Sequence, residues 1–187
     1  MSSAPQLRRA ERMRSEEQAR QLFQQGFCRR LATVGEDGSP YCVPLLYVVI
    51  QGRLYVHNTS DRGHLPANLE HEARVCFEVD EPGEVFNYGR LECDSSVSYR
   101  SVIAFGTIRI VTDFAQKQEF FEALMHKYGT SGRDRPRGFF PRIGKVAVYE
   151  MTIERMTGKE LALPEVLQQW PAVDRTPTPD AQPPASG

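Results

Sequence analysis

Three apolar segments separated by very short turns restrict the fold of this chain more than any other feature. Residues 27–34, 40–49 and 53–57 each have the composition of a strand. The turns between them are Gly35-Glu36-Asp37-Gly38-Ser39 and Gln51-Gly52, which are typical of hairpins. A parallel return would need a crossover of a dozen or more residues, so the three strands must be antiparallel neighbours.

Three further segments have strand patterns. Residues 74–80 alternate between apolar and polar side chains as a half-buried strand does, and Glu81-Pro82-Gly83 is expected to end it. The longest candidate strand covers 99–111, where Gly106 predicts a bulge or a bend that helps to close a barrel. The last strand is expected at 144–154. About six antiparallel strands result, which favours a closed or partly closed barrel over an open sheet.

Helix signals lie between and beside these strands. Ser15 and Gln18 form a capping box, and the apolar spacing that follows predicts a helix ending at Gly26. Asp113 and Gln116 form a second capping box before another amphipathic segment. We therefore expect a mainly β (α+β) fold with a few peripheral helices.

Charge and composition exclude several classes of protein. The formal net charge is −1, which speaks against non-specific nucleic-acid binding. The chain contains no apolar run long enough to cross a membrane and no secretory signal at its start. Its four cysteines form no CxxC pair, so we predict reduced thiols in a cytoplasmic protein and no metal site. No paired carboxylates, nucleophile triad or GxGxxG motif indicates hydrolysis or a Rossmann cofactor.

We expect one domain over residues 15–165. A flexible segment at 1–14 and a Pro-rich disordered tail at 166–187 are expected to flank it. The Arg-rich segment 130–142 is predicted to be a solvated loop, with a lid over an anionic ligand as the alternative.

The segment 55–64 is the best candidate for a functional site. An apolar strand enters a polar turn and then a helix start, where free N–H groups and the helix dipole attract an anion. Arg62 can bind a phosphate bidentately, and Thr59 and Ser60 can add hydroxyl donors. His64 can exchange protons near neutral pH, or it can be a purely structural residue at the helix start.

Two residues near this segment have structural alternatives. Pro44 lies inside the second strand, so it marks an ordinary edge, a bulge or a place where the backbone faces a ligand. His57 precedes the turn at the end of its strand, and we expect it to make a structural hydrogen bond.

Several motifs occur in the order found in a known family. They include residues 74–80, residues 99–106 and Met156-Thr157-Gly158-Lys159-Glu160. Over residues 28–161 the chain resembles the flavin-nucleotide-binding branch of the pyridoxamine 5'-phosphate oxidase-like superfamily, and it is most similar to the nitroimidazole-resistance (Nim) proteins.

The resemblance implies an antiparallel six-stranded split β-barrel of Greek-key type that binds FMN. It also implies a homodimer with a flavin site at each subunit boundary. The implied activity is an oxidoreductase that reduces a small molecule, such as a nitro-aromatic compound, with electrons from NAD(P)H. The alternatives are a non-catalytic flavin or haem binding or storage protein, and a small-molecule-binding barrel without a cofactor.

The resemblance also assigns residues to the flavin. His64 matches the histidine beside the reaction centre and is the predicted catalytic residue. Arg62 matches the phosphate-binding arginine, and the flavin-side strand is expected to belong to the same subunit's barrel wall. The predicted cofactor-binding residues are Tyr41, Cys42, Val43, Pro44, Val56, His57, Asn58, Thr59, Ser60, Arg62, His64, Arg100, Ser101 and Val102.

The chain departs from the superfamily pattern in the phosphate turn. Leu65-Pro66 stands where a lysine is common, and one extra residue lies between His57 and His64. The C-terminal substrate motif of true pyridoxamine-phosphate oxidases is also absent, which speaks against vitamin B6 oxidation.

Overall fold

The structure is a computed structural model that describes residues 10–59, 63–88, 93–129 and 138–165. Its α-helices are α1 (Glu16–Gln25), α2 (His64–His71) and α3 (Phe114–Tyr128), with 3₁₀ helices at Ala10–Arg12 and Ile143–Lys145. Its strands are β1 (Cys28–Val34), β2 (Pro40–Ile50), β3 (Arg53–Thr59), β4 (Arg74–Asn87), β5 (Ser95–Ile110) and β6 (Val146–Leu161). The predictions for residues 1–9, for 166–187 and for Arg133, Arg135 and Arg137 fall outside the described residues.

The strands form one closed antiparallel barrel in the order β1-β2-β3-β6-β5-β4. Pairing of Leu31 with Phe77 between β1 and β4 closes the ring. After the β1-β2-β3 meander the chain passes through α2 to β4, which lies beside β1 on the side opposite β2. Strands β5 and β6 then follow in order, and β6 pairs with β3. The sequence-based prediction of a six-stranded antiparallel barrel of Greek-key type is therefore confirmed.

Helix α1 packs its apolar face against the barrel core. The Ser15–Gln18 capping box is present, and Ala19, Leu22 and Phe23 are buried. The Phe23 ring lies 5.8 Å from the Tyr47 ring and 5.7 Å from a core phenylalanine of β4. The Tyr47 hydroxyl donates to the Phe23 carbonyl (2.5 Å), which ties the helix to β2.

Helix α3 packs on the outside of the barrel. Asp113 caps it, as predicted, by accepting a hydrogen bond from the Gln116 amide. Phe120 and Leu124 form a second apolar cluster, with side chains of β2, β3 and β6 that point out of the barrel. None of the described helices is long and apolar enough to cross a membrane.

Strand β4 does not end at Glu81-Pro82-Gly83, so that expectation is wrong. The strand continues to Asn87 because a shift in the β4–β5 register between Pro82 and Val85 absorbs the irregular residues. Ser98 supports this bulge, since its hydroxyl accepts from the Glu84 amide (2.8 Å) and donates to the Glu84 carbonyl (3.2 Å). A side-chain hydroxyl thus replaces the missing ladder bonds.

The other predicted strands are present with different ends. Strand β5 begins at Ser95 instead of residue 99, and β6 extends to Leu161 instead of 154. The register shift predicted at Gly106 is observed between Phe105 and Gly106. A Cβ at Gly106 would lie 1.9 Å from the Thr152 carbonyl oxygen, so only glycine fits the bend.

Candidate functional site

Strands β2 and β3 separate at one end of their hairpin. They pair only from the turn to Tyr47 and Val56. Beyond this pair, β2 continues beside β1 as far as Pro40, and β3 continues beside β6 as far as Thr59. The two strands therefore leave an opening between them, and the predicted residues 41–44 and 57–59 line its two sides.

The alternation of β2 directs several unpaired backbone groups into this opening. The Tyr47 amide donates to the Tyr128 hydroxyl (3.3 Å) and so points away from β3. Hydrogen-bonding groups alternate along an antiparallel strand, so those of Cys42, Pro44 and Leu46 point toward β3. Pro44 has no N–H, and on this unpaired edge it removes no ladder bond. Of the three predicted alternatives for Pro44, an edge position is therefore observed.

The side chains of β2 alternate between the core and solvent. Tyr41 and Val43 pack against the inner cluster, whereas Cys42 and Pro44 are exposed. The Tyr41 ring stacks on the His64 imidazole with 5.3 Å between centroids and 29° between planes. This stacking joins the start of α2 to the edge of β2.

Helix α2 begins at His64 next to the opening. Gly63 is the N-cap residue and provides no side-chain hydrogen bond, so the first amides of the helix have no side-chain cap. His64 is exposed at this end. Hydrogen bonds from Ser39 lower the pKa of Asp37, and the charge of His64 adds a smaller contribution. The helix start predicted for an anion is thus present, while Ser60 and Arg62 lie outside the described residues.

Asn58 and Thr59 are at the end of β3, not in a turn as predicted. The Asn58 side-chain oxygen accepts from the Thr59 amide (2.8 Å). Asn58 is half-buried and Thr59 is exposed. Both residues therefore lie where β3 leaves the barrel toward α2.

His57 points to the outer face, beneath α3. Its ring centroid is 5.6 Å from that of Phe120 and 6.3 Å from that of Phe121. Nδ1 is buried and makes no hydrogen bond with a described residue, so this nitrogen does not make the predicted structural hydrogen bond. The reason is strand alternation, which turns this side chain away from the polar turn. Burial lowers the pKa of His57.

The predicted residues of β5 form a separate group. Arg100 pairs with Glu81 (2.5 Å), and Ser101 is half-buried. These residues line a groove of about 170 Å³ between α1 and the ends of β5 and β6. Val102 is buried in the core, as is Val56 on β3, so only their backbones can face a ligand.

Within one chain, the predicted residues around the opening and the predicted residues of β5 do not come together. In the ring, β5 is three strands from β2 in either direction, so the strands lie on opposite sides of the barrel. The residues on β2, β3 and α2 gather at one opening, whereas residues 100–102 lie across the barrel from it. Among the described residues, no cluster of three or more His, Cys, Asp or Glu side chains could hold a metal.

Comparison with known proteins agrees with this architecture. A family model described as pyridoxamine 5'-phosphate oxidase matches residues 15–160, which is most of the chain. No curated protein matches the sequence.

Several solved structures share the fold at low sequence identity. A proposed 5-nitroimidazole antibiotic resistance protein from Bacteroides thetaiotaomicron is 20% identical, with a TM-score of 0.64 over 78% of this chain and 84% of that one. An FAD and haem binding protein from Mycobacterium smegmatis is 21% identical, with a TM-score of 0.66 over 81% and 74%. The flavocytochrome Anf3 from Azotobacter vinelandii is 19% identical, with a TM-score of 0.72 over 96% and 92%.

Proposed function

Because this chain belongs to the pyridoxamine 5'-phosphate oxidase family, we propose that it binds FMN at the opening between β2 and β3. The protein uses this FMN to reduce a small molecule with electrons from NAD(P)H. The observation that carries the proposal is the unpaired edge of β2, because it presents backbone groups to a ligand beside an uncapped helix start. The names of two structural neighbours, one flavin-binding and one a flavocytochrome, support a flavin.

The residues at the opening fit the chemistry of a flavin nucleotide. Its ring edge needs hydrogen-bond donors and acceptors, and the backbones of Cys42 and Leu46 offer both on the free edge. Its phosphate needs donors and positive charge, which the first turn of α2 offers together with Arg62. The exposed side chains of Cys42 and Pro44 are small, so they leave the edge accessible.

The chain's own groups would position the substrate and supply protons. FMN carries the hydride and electron chemistry when it is bound. His64 is exposed beside the opening, and its stacking on Tyr41 fixes the plane of the imidazole. A histidine held in this way can donate a proton to a reduced substrate at neutral pH. The name of the neighbour from Bacteroides thetaiotaomicron favours a nitro-aromatic substrate.

A homodimer would complete the site. Residues 100–102 are on the far side of the barrel from the opening, so a second copy must supply them if they contact the flavin. A two-fold symmetric dimer places β5 of one protomer beside β2 of its partner at both sites. The flavin-side strand then belongs to the partner subunit.

A haem binding or storage protein is the second candidate. Two structural neighbours are named for haem or cytochrome content, and the exposed imidazole of His64 is a possible axial ligand. Such a protein would not oxidise NAD(P)H.

The absorbance spectrum of the purified protein distinguishes these functions. We expect the bands of oxidised flavin, or their appearance when FMN is titrated into the colourless protein. A Soret band would support haem instead. A colourless protein that takes up no FMN would contradict the flavin proposal. Consumption of NADH or NADPH with a nitro-aromatic acceptor then separates an enzyme from a carrier.

Substitution of Arg62 tests the phosphate position. Arg62→Ala should weaken FMN binding about tenfold to a hundredfold, the usual range for one charge-assisted hydrogen bond. Arg20→Ala is the matched control, because Arg20 is on α1 and pairs with Glu16. Equal FMN affinities for the two variants by calorimetry would place the phosphate elsewhere.

A further inference from the structure

A cleft outside the proposed flavin site lies at the far end of the sheet. It has a volume of about 1070 Å³. Its walls are the N-terminal residues 11–14, the ends of β4 and β5, and the end of β6 with the residues that follow it. The family match covers 15–160, so the cleft's N-terminal wall and residues 161–165 lie outside the shared segment. The cleft is therefore formed partly by residues outside the matched segment.

The lining of the cleft is mixed, and its apolar part has exposed side chains on both sides. Phe86 is 7% exposed and belongs to the β4 wall. Met13 on the N-terminal wall is 51% exposed, and Leu163 on the opposite wall is 39% exposed. A ligand between these walls would remove apolar surface from water, which is the main source of affinity in small-molecule sites.

One cation in the cleft has no partner. Arg12 is half-buried and makes no ion pair or hydrogen bond with a residue that the structure describes. Its neighbour Arg14 is neutralised by Glu160. The Tyr88 hydroxyl also has no hydrogen-bond partner among the described residues. The cleft thus combines a guanidinium and a phenol, both available to an acidic group, with an apolar lining.

Acidic residues also line the cleft but oppose an anion only weakly. Glu160 is occupied by Arg14. Glu11 and Glu165 are exposed, so water and salt screen their charges. Arg12 is less exposed than either carboxylate, so its charge is screened less than theirs.

We propose that this cleft binds an amphipathic anion, meaning a molecule with a large apolar body and a carboxylate or sulfonate group. The apolar body lies between Met13 and Leu163 and contacts Phe86. The acidic group pairs with Arg12 and accepts a hydrogen bond from Tyr88. This cleft is separate from the opening between β2 and β3, although it shares Arg14 and Glu160 with the groove beside residues 100–102.

Calorimetric titration of the full chain with 8-anilinonaphthalene-1-sulfonate tests the proposal. We expect one site per chain, and Arg12→Gln should weaken binding about tenfold, as for the loss of one charge-assisted hydrogen bond. N-phenyl-1-naphthylamine has the same rings without the sulfonate, so its binding should not change in Arg12→Gln. Met13→Glu should weaken the binding of both probes because it places a carboxylate in the apolar wall.

Matched controls separate the cleft from general surface binding. Arg20→Gln removes a cation from α1, and Val85→Glu adds a carboxylate at a valine that is 75% exposed outside the cleft. Both should bind the sulfonate as the unchanged protein does. If Arg12→Gln and Met13→Glu bound the sulfonate as tightly as the unchanged protein, and unfolded at the same temperature, the proposal would be overturned. Displacement of the sulfonate by FMN would overturn it too, because the probe would then occupy the flavin site.

Discussion

His57 links the protonation of one half-buried ring to the stability of the protein. Burial lowers the pKa of this imidazole below its usual value near 6.5. As pH falls through about 6.5, the unfolded chain binds a proton that the native ring does not, so the free energy of unfolding falls. The loss continues down to the lowered native pKa and amounts to about 1.4 kcal/mol per unit of pKa lowering.

Replacement of His57 should remove this dependence. We expect His57→Leu to have a flatter profile of unfolding free energy against pH between about 5 and 7, measured by urea denaturation. His126→Gln is the control, since His126 is exposed on the same layer of the fold, in α3. An unchanged slope in His57→Leu would show that another group takes up the proton.

Lys127 produces a pH dependence of the same sign at alkaline pH. Its Nζ is buried, has no hydrogen-bond partner among the described residues, and lies 3.7 Å from the Tyr47 ring centroid. Burial, followed by the charge of Arg29, lowers the pKa of Lys127 to about 8. Between this value and the usual one near 10.5, the unfolded state holds more protons, so the free energy of unfolding should rise with pH.

Lys127→Met isolates this contribution because methionine keeps most of the packing. As pH rises from 8 to about 10, the unfolding free energy of the unchanged chain should rise toward that of Lys127→Met. The difference between the two proteins should shrink by on the order of 1 kcal/mol. Parallel profiles for the two proteins in chemical denaturation would contradict the lowered pKa. Lys117→Met on α3 controls for the loss of a cation from the same helix; it also removes the hydrogen bond from Lys117 to the Val146 carbonyl (3.0 Å).

At the scale of elements, the bend of β5 depends on the missing side chain of Gly106. A Cβ there would meet the backbone of β6, which cannot move without breaking the β5–β6 ladder. Gly106→Ala should therefore destabilise the barrel by about 1–3 kcal/mol or more. Gly144→Ala is the matched control, since no atom lies within 4 Å of its added Cβ. Equal urea midpoints for the two variants would mean that the bend can absorb a methyl group.

Local rules predicted the elements better than their ends. Hairpin turns, capping boxes and the period of two are properties of neighbouring residues, so the helix at Ser15 and the bulge at Gly106 could be read directly. The continuation of β4 past Pro82 could not, because it depends on Ser98 in another strand. Long-range hydrogen bonds of this kind leave no local pattern.

The candidate site divides in the same way. Residues near the opening are close in sequence to two hairpin strands and a helix start, so the segment 55–64 and Pro44 pointed to the end of the barrel where β2 and β3 separate. The position of His57 beneath α3 depends on how a distant helix packs, and its sequence context gave no sign of it. The backbone of Leu46 was missed, although it lies two residues beyond Pro44 and therefore on the same edge.

At the scale of the whole molecule, the position of residues 100–102 across the barrel underlies the proposal that two chains form each flavin site. We expect the purified protein to have twice the 21.2 kDa mass of one chain by light scattering. Arg62→Ala removes the proposed phosphate-binding arginine, whereas Ser101→Glu places a carboxylate at a half-buried position of β5, across the barrel from the opening. Each variant alone should therefore bind FMN weakly, for a different reason.

Mixing the two variants tests whether the damaged parts belong to different chains. In a refolded equal mixture, about half of the dimers contain one chain of each kind. One of the two sites in such a dimer combines the intact opening of one protomer with the intact β5 of its partner, so about a quarter of all sites should regain full FMN affinity. If the same subunit supplied β5, both sites of the mixed dimer would be damaged and mixing would restore nothing. Titration with FMN before and after mixing therefore decides whether the flavin site crosses the subunit boundary.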